Sequence, residues 1–150
     1  MKKDNKGFSL VELIIVIAIM AILVVVVAPQ YLKYVEKSRI SVDQDNAGEI
    51  GRAMQIYAAD QGNPSDSDNA TVTVSTSGIS VTASSWAAKA MENAGLKAGD
   101  AAIKSKNASW KDGYQIKMGT DGALVYYQGT SGTTAFTDIV NSDYAPATGG

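Results

Sequence analysis

One carboxylate near the N-terminus lies in a setting that demands a chemical partner. Glu12 directly precedes Leu13 to Ala28, a run without any polar side chain. An ionised carboxylate at mid-membrane depth costs on the order of 3 kcal/mol or more unless something neutralises it. If the chain were cut after Gly7, the new amino group of Phe8 would lie four residues from Glu12 on the same helix face. We therefore predict that Glu12 pairs with such an amine, either its own or that of a neighbouring copy.

The segment that positions Glu12 has the length of a membrane-spanning helix. Counted from Phe8, it contains about 20 residues interrupted only by Ser9 and Glu12, enough to cross a hydrocarbon core of about 30 Å. Three lysines precede it, at Lys2, Lys3 and Lys6. Since positive charge favours the cytoplasmic side, residues 1–7 are predicted to stay in the cytoplasm and the chain after Ala28 to face outward.

These residues resemble the start of the type IV pilin family, which includes the pseudopilins of type II secretion. The matching motif is Gly7 followed by Phe8-Ser9-Leu10-Val11-Glu12-Leu13 and the apolar run, about the first third of the chain. The resemblance implies that a membrane aspartic peptidase cuts between Gly7 and Phe8 and methylates the amine of Phe8. It also implies that Glu12 guides the docking of subunits into a polymer.

Two other interpretations of this stretch remain open. A secretory signal peptide cut after Ala28 would leave Pro29 as a poor first mature residue, and its apolar part would be unusually long. If the segment were a permanently uncleaved anchor, the presence of the acidic residue Glu12 in it would be unexplained. Sequencing the mature N-terminus separates these interpretations from cleavage after Gly7.

Composition narrows the classes of function. The chain has 150 residues, a net charge of −2, no Cys and no His. These numbers predict one modest globular domain besides the apolar segment, with neither disulfides nor imidazole chemistry. We expect no nucleic-acid binding, because no basic stripe is present. We also expect no enzyme, catalytic residue, cofactor or resident metal, because no nucleophile–base pair, phosphate loop or metal motif is visible.

A long helix is predicted from Phe8 to about Gln61, roughly 80 Å at about 1.5 Å per residue. Pro29 lacks an N–H and crowds the carbonyl of Val25, so a kink is expected there. In the pilin family a Gly also breaks this helix, and its position is Ala21 here. Beyond Pro29 the helix is amphipathic. Its predicted apolar positions are Leu32, Val35, Val42, Ile50, Met54 and Tyr57, and its polar positions include Lys33, Glu36, Asp43, Asp45 and Glu49.

The remaining residues predict a small antiparallel sheet. Alternating β-branched residues predict a hairpin of 71–75 with 79–82, and the clearest hairpin pairs 114–118 with 123–127. Between them Ser84 or Ser85 caps a short helix that carries Trp86 as a core residue, and 136–140 is a candidate last edge strand. The fold class is thus α+β, as in pilins: a long helix whose apolar half protrudes and whose amphipathic half packs against the sheet. The predicted parts are leader 1–7, helix 8–61 with a membrane and assembly part at 8–28, and globular head 62–150.

Some weaker motifs point to modification or metal binding. The triplets at Asn69 and Asn107 match the N-glycosylation pattern, which arises often by chance. Asp121, Asp138 and Asp143 are candidates for a C-terminal Ca²⁺ site, although no spacing enforces one.

The function that the resemblance implies is a structural one. The chain is expected to be inserted in the cytoplasmic membrane as a precursor and then polymerised outside the cell as a type IV pilus, with itself, a prepilin peptidase and a membrane assembly platform as partners. The alternative is a pseudopilin of a secretion or DNA-uptake machine. A third possibility is a monomeric membrane-anchored adhesin or sensor. Motility, adhesion, uptake and secretion share the same N-terminal helix, so the sequence does not choose among them.

Overall fold

The computed structural model describes residues 7–107, 109–132 and 134–136. The described residues form helix α1 (Leu10–Gln61), strands β1 (Thr71–Ser75) and β2 (Gly78–Val81), helix α2 (Trp86–Asn93) and strands β3 (Tyr114–Met118), β4 (Leu124–Gln128) and β5 (Thr134–Phe136). The chain divides into two compact units, residues 1–35 and 36–150. The predicted α+β class is confirmed, with one long helix and one antiparallel sheet.

Helix α1 is continuous over 52 residues, and Pro29 lies inside it. It is long and apolar enough, by length and composition, to cross a membrane. The predicted end at Gln61 is confirmed: the next residue, Gly62, adopts a φ of 92°, a left-handed conformation in which only glycine avoids a steric penalty. The predicted kink at Pro29 stays a prediction.

The sheet has the strand order β2-β1-β3-β4-β5, and all of its pairs are antiparallel. The predicted hairpins are both present, with β2 and β4 each displaced by one residue from the predicted bounds. Strand β5 overlaps the predicted edge strand only at Phe136, and the rest of that prediction, residues 137–140, lies outside the described residues.

One face of the sheet forms the core of unit 36–150. In β1 and β3 every second side chain is fully buried, and the register places Val72 beside Ile116 and Val74 beside Tyr114. These residues pack with Ile50 and other buried residues of α1 in one apolar cluster. Helix and sheet approach closely at Gly51, where an added Cβ would lie 3.1 Å from a methyl carbon of Leu124.

Two predicted positions in this unit were wrong, and a third was correct in part. Val42 is exposed, while Asp43, predicted to face solvent, is 1% exposed. The buried stripe of α1 runs through Ile40, Asp43, Ala47, Ile50 and Met54, at helical spacings of three and four. Trp86 packs against the core cluster but is only half-buried, so its assignment as a core residue holds in part. The fully buried tryptophan is Trp110, in a stretch without periodicity.

Candidate functional site

The start of α1 is closed by a reciprocal pair of hydrogen bonds. The backbone N–H of Ser9 donates to Glu12 Oε2 at 2.8 Å, and the N–H of Val11 donates to Ser9 Oγ at 3.3 Å. This is the capping-box arrangement, in which a serine and a glutamate three residues later satisfy free N–H groups at the helix start. The Glu12 carboxylate therefore points back toward the N-terminus of its own helix, where the helix dipole favours negative charge.

The capped helix start differs from the sequence-based expectation in one respect. Phe8 was expected to be helical and to share a face with Glu12, but α1 begins at Leu10. Ser9 is the capping residue, so Phe8 precedes the helix. In this uncut chain the partner of Glu12 is the N–H of Ser9. Whether a free amine on Phe8 replaces it remains the prediction made from the sequence.

The peptide bond between Gly7 and Phe8 lies on the surface. Both residues are exposed, and Phe8 has 90% of its surface accessible. No atom outside its chain neighbours lies within 4 Å of the position where a Cβ would be built on Gly7. The bond predicted to be cut is thus not covered by the described residues. The other six residues of the predicted leader, 1–6, lie outside the described residues.

The apolar run after Glu12 is uncovered in the chain as described. Every side chain from Leu10 to Tyr34 is exposed, including 15 large apolar ones between Leu10 and Val27. Full burial of such a side chain is worth about 1.5–3 kcal/mol. Because these side chains are roughly half exposed, covering them all is worth on the order of 15 kcal/mol. Lipid or other copies of the same helix can supply this cover.

A second carboxylate, which the sequence reasoning missed, organises the other unit. Asp43 accepts hydrogen bonds from the backbone N–H of Lys104 at 3.0 Å and of Ser105 at 2.9 Å. Two turns earlier, Glu36 accepts one from the N–H of Lys106. These two carboxylates of α1 hold the segment 104–106, which we call the clamped segment. Asp43 sits three residues after Ile40 and four before Ala47, a spacing that places it on the apolar stripe and was the signal available in the sequence.

A buried phenol lies close to this clamp. The hydroxyl of Tyr114 has no hydrogen-bond partner among the described residues. Burial raises the pKa of Tyr114 far above its ordinary value of 10.0, and the nearby charge of Asp43 and the phenol of Tyr126 add to the shift. Tyr114 is consequently a neutral core residue, with no sign of a chemical role.

The weaker sequence motifs find little support in the geometry. Asn107 is 3% exposed and its Oδ1 accepts from the N–H of Ser109 at 2.8 Å, which makes it a poor glycan acceptor. Among the described residues no group of three His, Cys, Asp or Glu side chains is placed to hold a metal ion. Asp121 is exposed and binds the N–H of Ala123, whereas Asp138 and Asp143 lie outside the described residues.

Comparison with known proteins places the first site in a family context. Residues 2–28 match the family model described as the prokaryotic N-terminal methylation motif. The chain is 32% identical over 81 residues to prepilin peptidase-dependent protein A of Clostridium perfringens (strain 13 / Type A), covering 53% of this chain and 58% of that protein. It is 38% identical over 60 residues to type IV major fimbrial protein FimA of Dichelobacter nodosus, covering 40% of this chain and 38% of the relative. It is 42% identical over 62 residues to fimbrial protein EcpC of Eikenella corrodens, covering 41% and 40%.

These matches confirm the resemblance stated from the sequence. The chain carries the N-terminal methylation motif of prokaryotic pilins, and its relatives include type IV fimbrial proteins. They are fimbrial proteins rather than enzymes, in agreement with the predicted non-enzymatic role. The chain spans between 38% and 58% of the length of these three relatives. No solved structure matches the chain.

Proposed function

We propose that this chain, which carries the N-terminal methylation motif of prokaryotic pilins, is a structural subunit of an extracellular type IV pilus filament. The subunit is made as a membrane precursor, cleaved after Gly7, methylated at the amine of Phe8 and polymerised through the apolar part of α1. The observation that carries this proposal is the combination, at one helix start, of an exposed Gly7–Phe8 bond, the Glu12 carboxylate and a long uncovered apolar run.

The apolar run explains why the chain needs two successive environments. Before assembly, the run from Leu10 to Val27 is covered by lipid, with the leader on the cytoplasmic side. A single subunit that moved out of the lipid without docking would lose on the order of 15 kcal/mol of apolar burial. Packing against the same run of neighbouring copies restores it, so extraction from the membrane is coupled to polymerisation.

Glu12 changes its partner during this process. In the uncut chain its carboxylate accepts a hydrogen bond from the neutral N–H of Ser9. Cleavage creates a positively charged amine on Phe8, and Glu12 of an incoming subunit pairs with the amine of the subunit it docks against. Such a buried pair adds little net stability, but leaving one member unpaired costs about 3–5 kcal/mol. The pair therefore sets the register of an otherwise uniform apolar contact.

We propose that a prepilin peptidase processes the chain and that an assembly platform in the cytoplasmic membrane polymerises it. The Clostridium perfringens relative is named for its dependence on a prepilin peptidase, which supports the assignment of cleavage to an enzyme of that kind. The chain is then divided into a leader, 1–7, a segment that contains α1, 8–61, and a head, 62–150. The part of the helix that enters the membrane and later the filament is 8–28.

The test compares variants of two glutamates on the same helix. Glu12→Leu is expected to insert and to be cleaved normally but to yield no fibres, because the register-setting charge is missing. Glu49→Leu, at an exposed position of α1, is the matched control and should give wild-type fibre yield. Fibre yield is measured by shearing cells and by electron microscopy with a labelled antibody. Cleavage is followed by the shift in electrophoretic mobility.

Three outcomes contradict parts of the proposal. Normal fibre yield from Glu12→Leu refutes the pairing mechanism. Normal processing of Gly7→Glu, which is expected to stay full-length in the membrane, refutes cleavage after Gly7. The chain is instead a subunit of a pseudopilus if a deletion strain loses protein export or DNA uptake and its parent never displays labelled fibres.

A further inference from the structure

An open cleft of about 450 Å³ lies beside the end of α1, the loop 63–69 and the start of α2. Its volume falls within the range of about 300–1,000 Å³ that is usual for small-molecule sites. The proposed assembly mechanism uses none of its residues. The lining includes Tyr57, Asp68, Asn69, Thr82, Trp86 and Lys89.

The chemistry of the lining excludes several classes of ligand. Apart from Ala83 and two aromatic residues, every lining side chain carries a hydroxyl, amide or charged group. Asp68 is the one carboxylate in the lining, too few to hold a metal ion. Lys89 is the one cation, too few to bind a phosphate backbone. A wholly apolar ligand would strip water from many polar groups without replacing their hydrogen bonds. The lining therefore suits an uncharged molecule that is rich in hydroxyl groups.

Two aromatic rings give the cleft an ordered apolar wall. Trp86 and Tyr57 meet edge to face, with ring centroids 5.1 Å apart and planes at 77°. The indole Nε1–H of Trp86 also donates to the carbonyl of Gly62 at 3.3 Å, which fixes the ring. A pyranose has a face of C–H groups that packs on an aromatic surface and a rim of hydroxyls that needs polar partners. Both kinds of partner line this cleft.

The polar groups are held in place before any ligand arrives. Asp68 Oδ2 accepts from the backbone N–H and the hydroxyl of Ser65, both at 2.9 Å. These bonds, with a contribution from Lys89, lower the pKa of the Asp68 carboxyl, so it is ionised and able to accept from a hydroxyl. The Asn69 amide donates to Thr82 Oγ1 at 2.8 Å, which orders two more lining side chains. Preorganised groups lose less entropy on binding.

From this arrangement we infer that the cleft binds a neutral carbohydrate. Trp86 supplies the apolar surface for one face of a pyranose ring, while Asp68 and Lys89 accept from and donate to its hydroxyls. The inference stands on residues of unit 36–150 and does not depend on filament assembly.

The test measures sugar binding by the purified full chain in a zwitterionic detergent without a sugar headgroup. The probes are glucose, galactose, mannose and N-acetylglucosamine, each at millimolar concentration, and binding is read by saturation-transfer difference NMR. We expect transfer from the protein to at least one of these sugars. Lys89→Ala and Trp86→Phe are each expected to weaken that binding about tenfold.

Lys117→Ala is the matched control, because Lys117 is an exposed lysine outside the cleft. It should bind the sugar as the wild type does. Circular dichroism confirms the fold of Trp86→Phe, and Lys89 is exposed, so its removal leaves the core intact. The absence of transfer to all four sugars overturns the inference. Binding that both cleft variants leave unchanged overturns it as well.

Discussion

Removal of the Asp43 carboxylate should destabilise the head more than any other single charge removal on α1. In Asp43→Ala the N–H groups of Lys104 and Ser105 both lose their acceptor, and that of Ser105 is buried. A buried donor left without a partner costs about 1–3 kcal/mol, and bonds to charged groups lie toward the upper end. The variant also avoids the cost of burying the charged Asp43 carboxylate, and this gain offsets part of the loss. We expect a net loss of about 3 kcal/mol in the free energy of unfolding.

The loss can be followed with a reporter that is hydrogen-bonded to the clamped segment. Trp110 is buried, and its Nε1–H donates to Ser105 Oγ at 3.1 Å. Its fluorescence should therefore report release of the segment. For a head of this size, 3 kcal/mol corresponds to a decrease in Tm of roughly 12–24 °C. Thermal unfolding of the full chain in detergent, monitored by tryptophan fluorescence, measures this decrease.

Two further variants separate the clamp from a general effect of charge. Asp43→Asn keeps one oxygen as an acceptor and should lose about half as much stability. Asp45→Ala, an exposed acid two residues along the same helix, should change stability by less than about 0.5 kcal/mol. If the Tm of Asp43→Ala matched that of Asp45→Ala, the proposed clamp would be refuted.

Two other predictions concern the core and the loops. Tyr114→Phe removes a buried hydroxyl without a partner among the described residues, so it should raise the free energy of unfolding by about 1 kcal/mol in a denaturant titration. Because the pKa of Tyr114 is raised in the folded chain, its contribution to stability is complete below its unfolded pKa of 10.0 and declines as the pH rises above that value. Tyr114→Phe should remove this part of the alkaline loss, and an unchanged pH profile would contradict the burial of the phenol. Gly78→Ala should cost about 3 kcal/mol or more, because Gly78 has a φ of 101° and an added Cβ would lie 2.4 Å from the backbone of Gly99. Gly95→Ala, also at positive φ but with open space around it, should cost only about 1–2 kcal/mol, and equal losses would contradict the close approach of Gly78 and Gly99.

The elements that the sequence predicted well are those with a strong local period. Strict alternation in 71–75 and 114–118 identified β1 and β3 and the face that each buries. Ser85 was one of two predicted caps for α2, and its side chain accepts from the N–H of Ala88. The end of α1 followed from Gly62. In each case neighbouring residues alone determine the conformation.

The elements that the sequence missed depend on long-range partners. Asp43 was assigned to solvent because acids usually face water, but backbone donors 61 and 62 residues away satisfy it. Trp110 was overlooked because the stretch before it has no repeating pattern and is held by those same bonds. At the N-terminal site the functional residues stay a prediction from the sequence, whereas the capping bond from Ser9 to Glu12 appeared only in the structure.

The most direct test of the proposed function is the intact mass and N-terminal sequence of the protein sheared from the cell surface. The account predicts a polymer whose subunit begins at Phe8, lacks residues 1–7 and carries a methyl group on its amine. A subunit that retains Met1 and its lysines, and that is recovered only as single molecules, would contradict it.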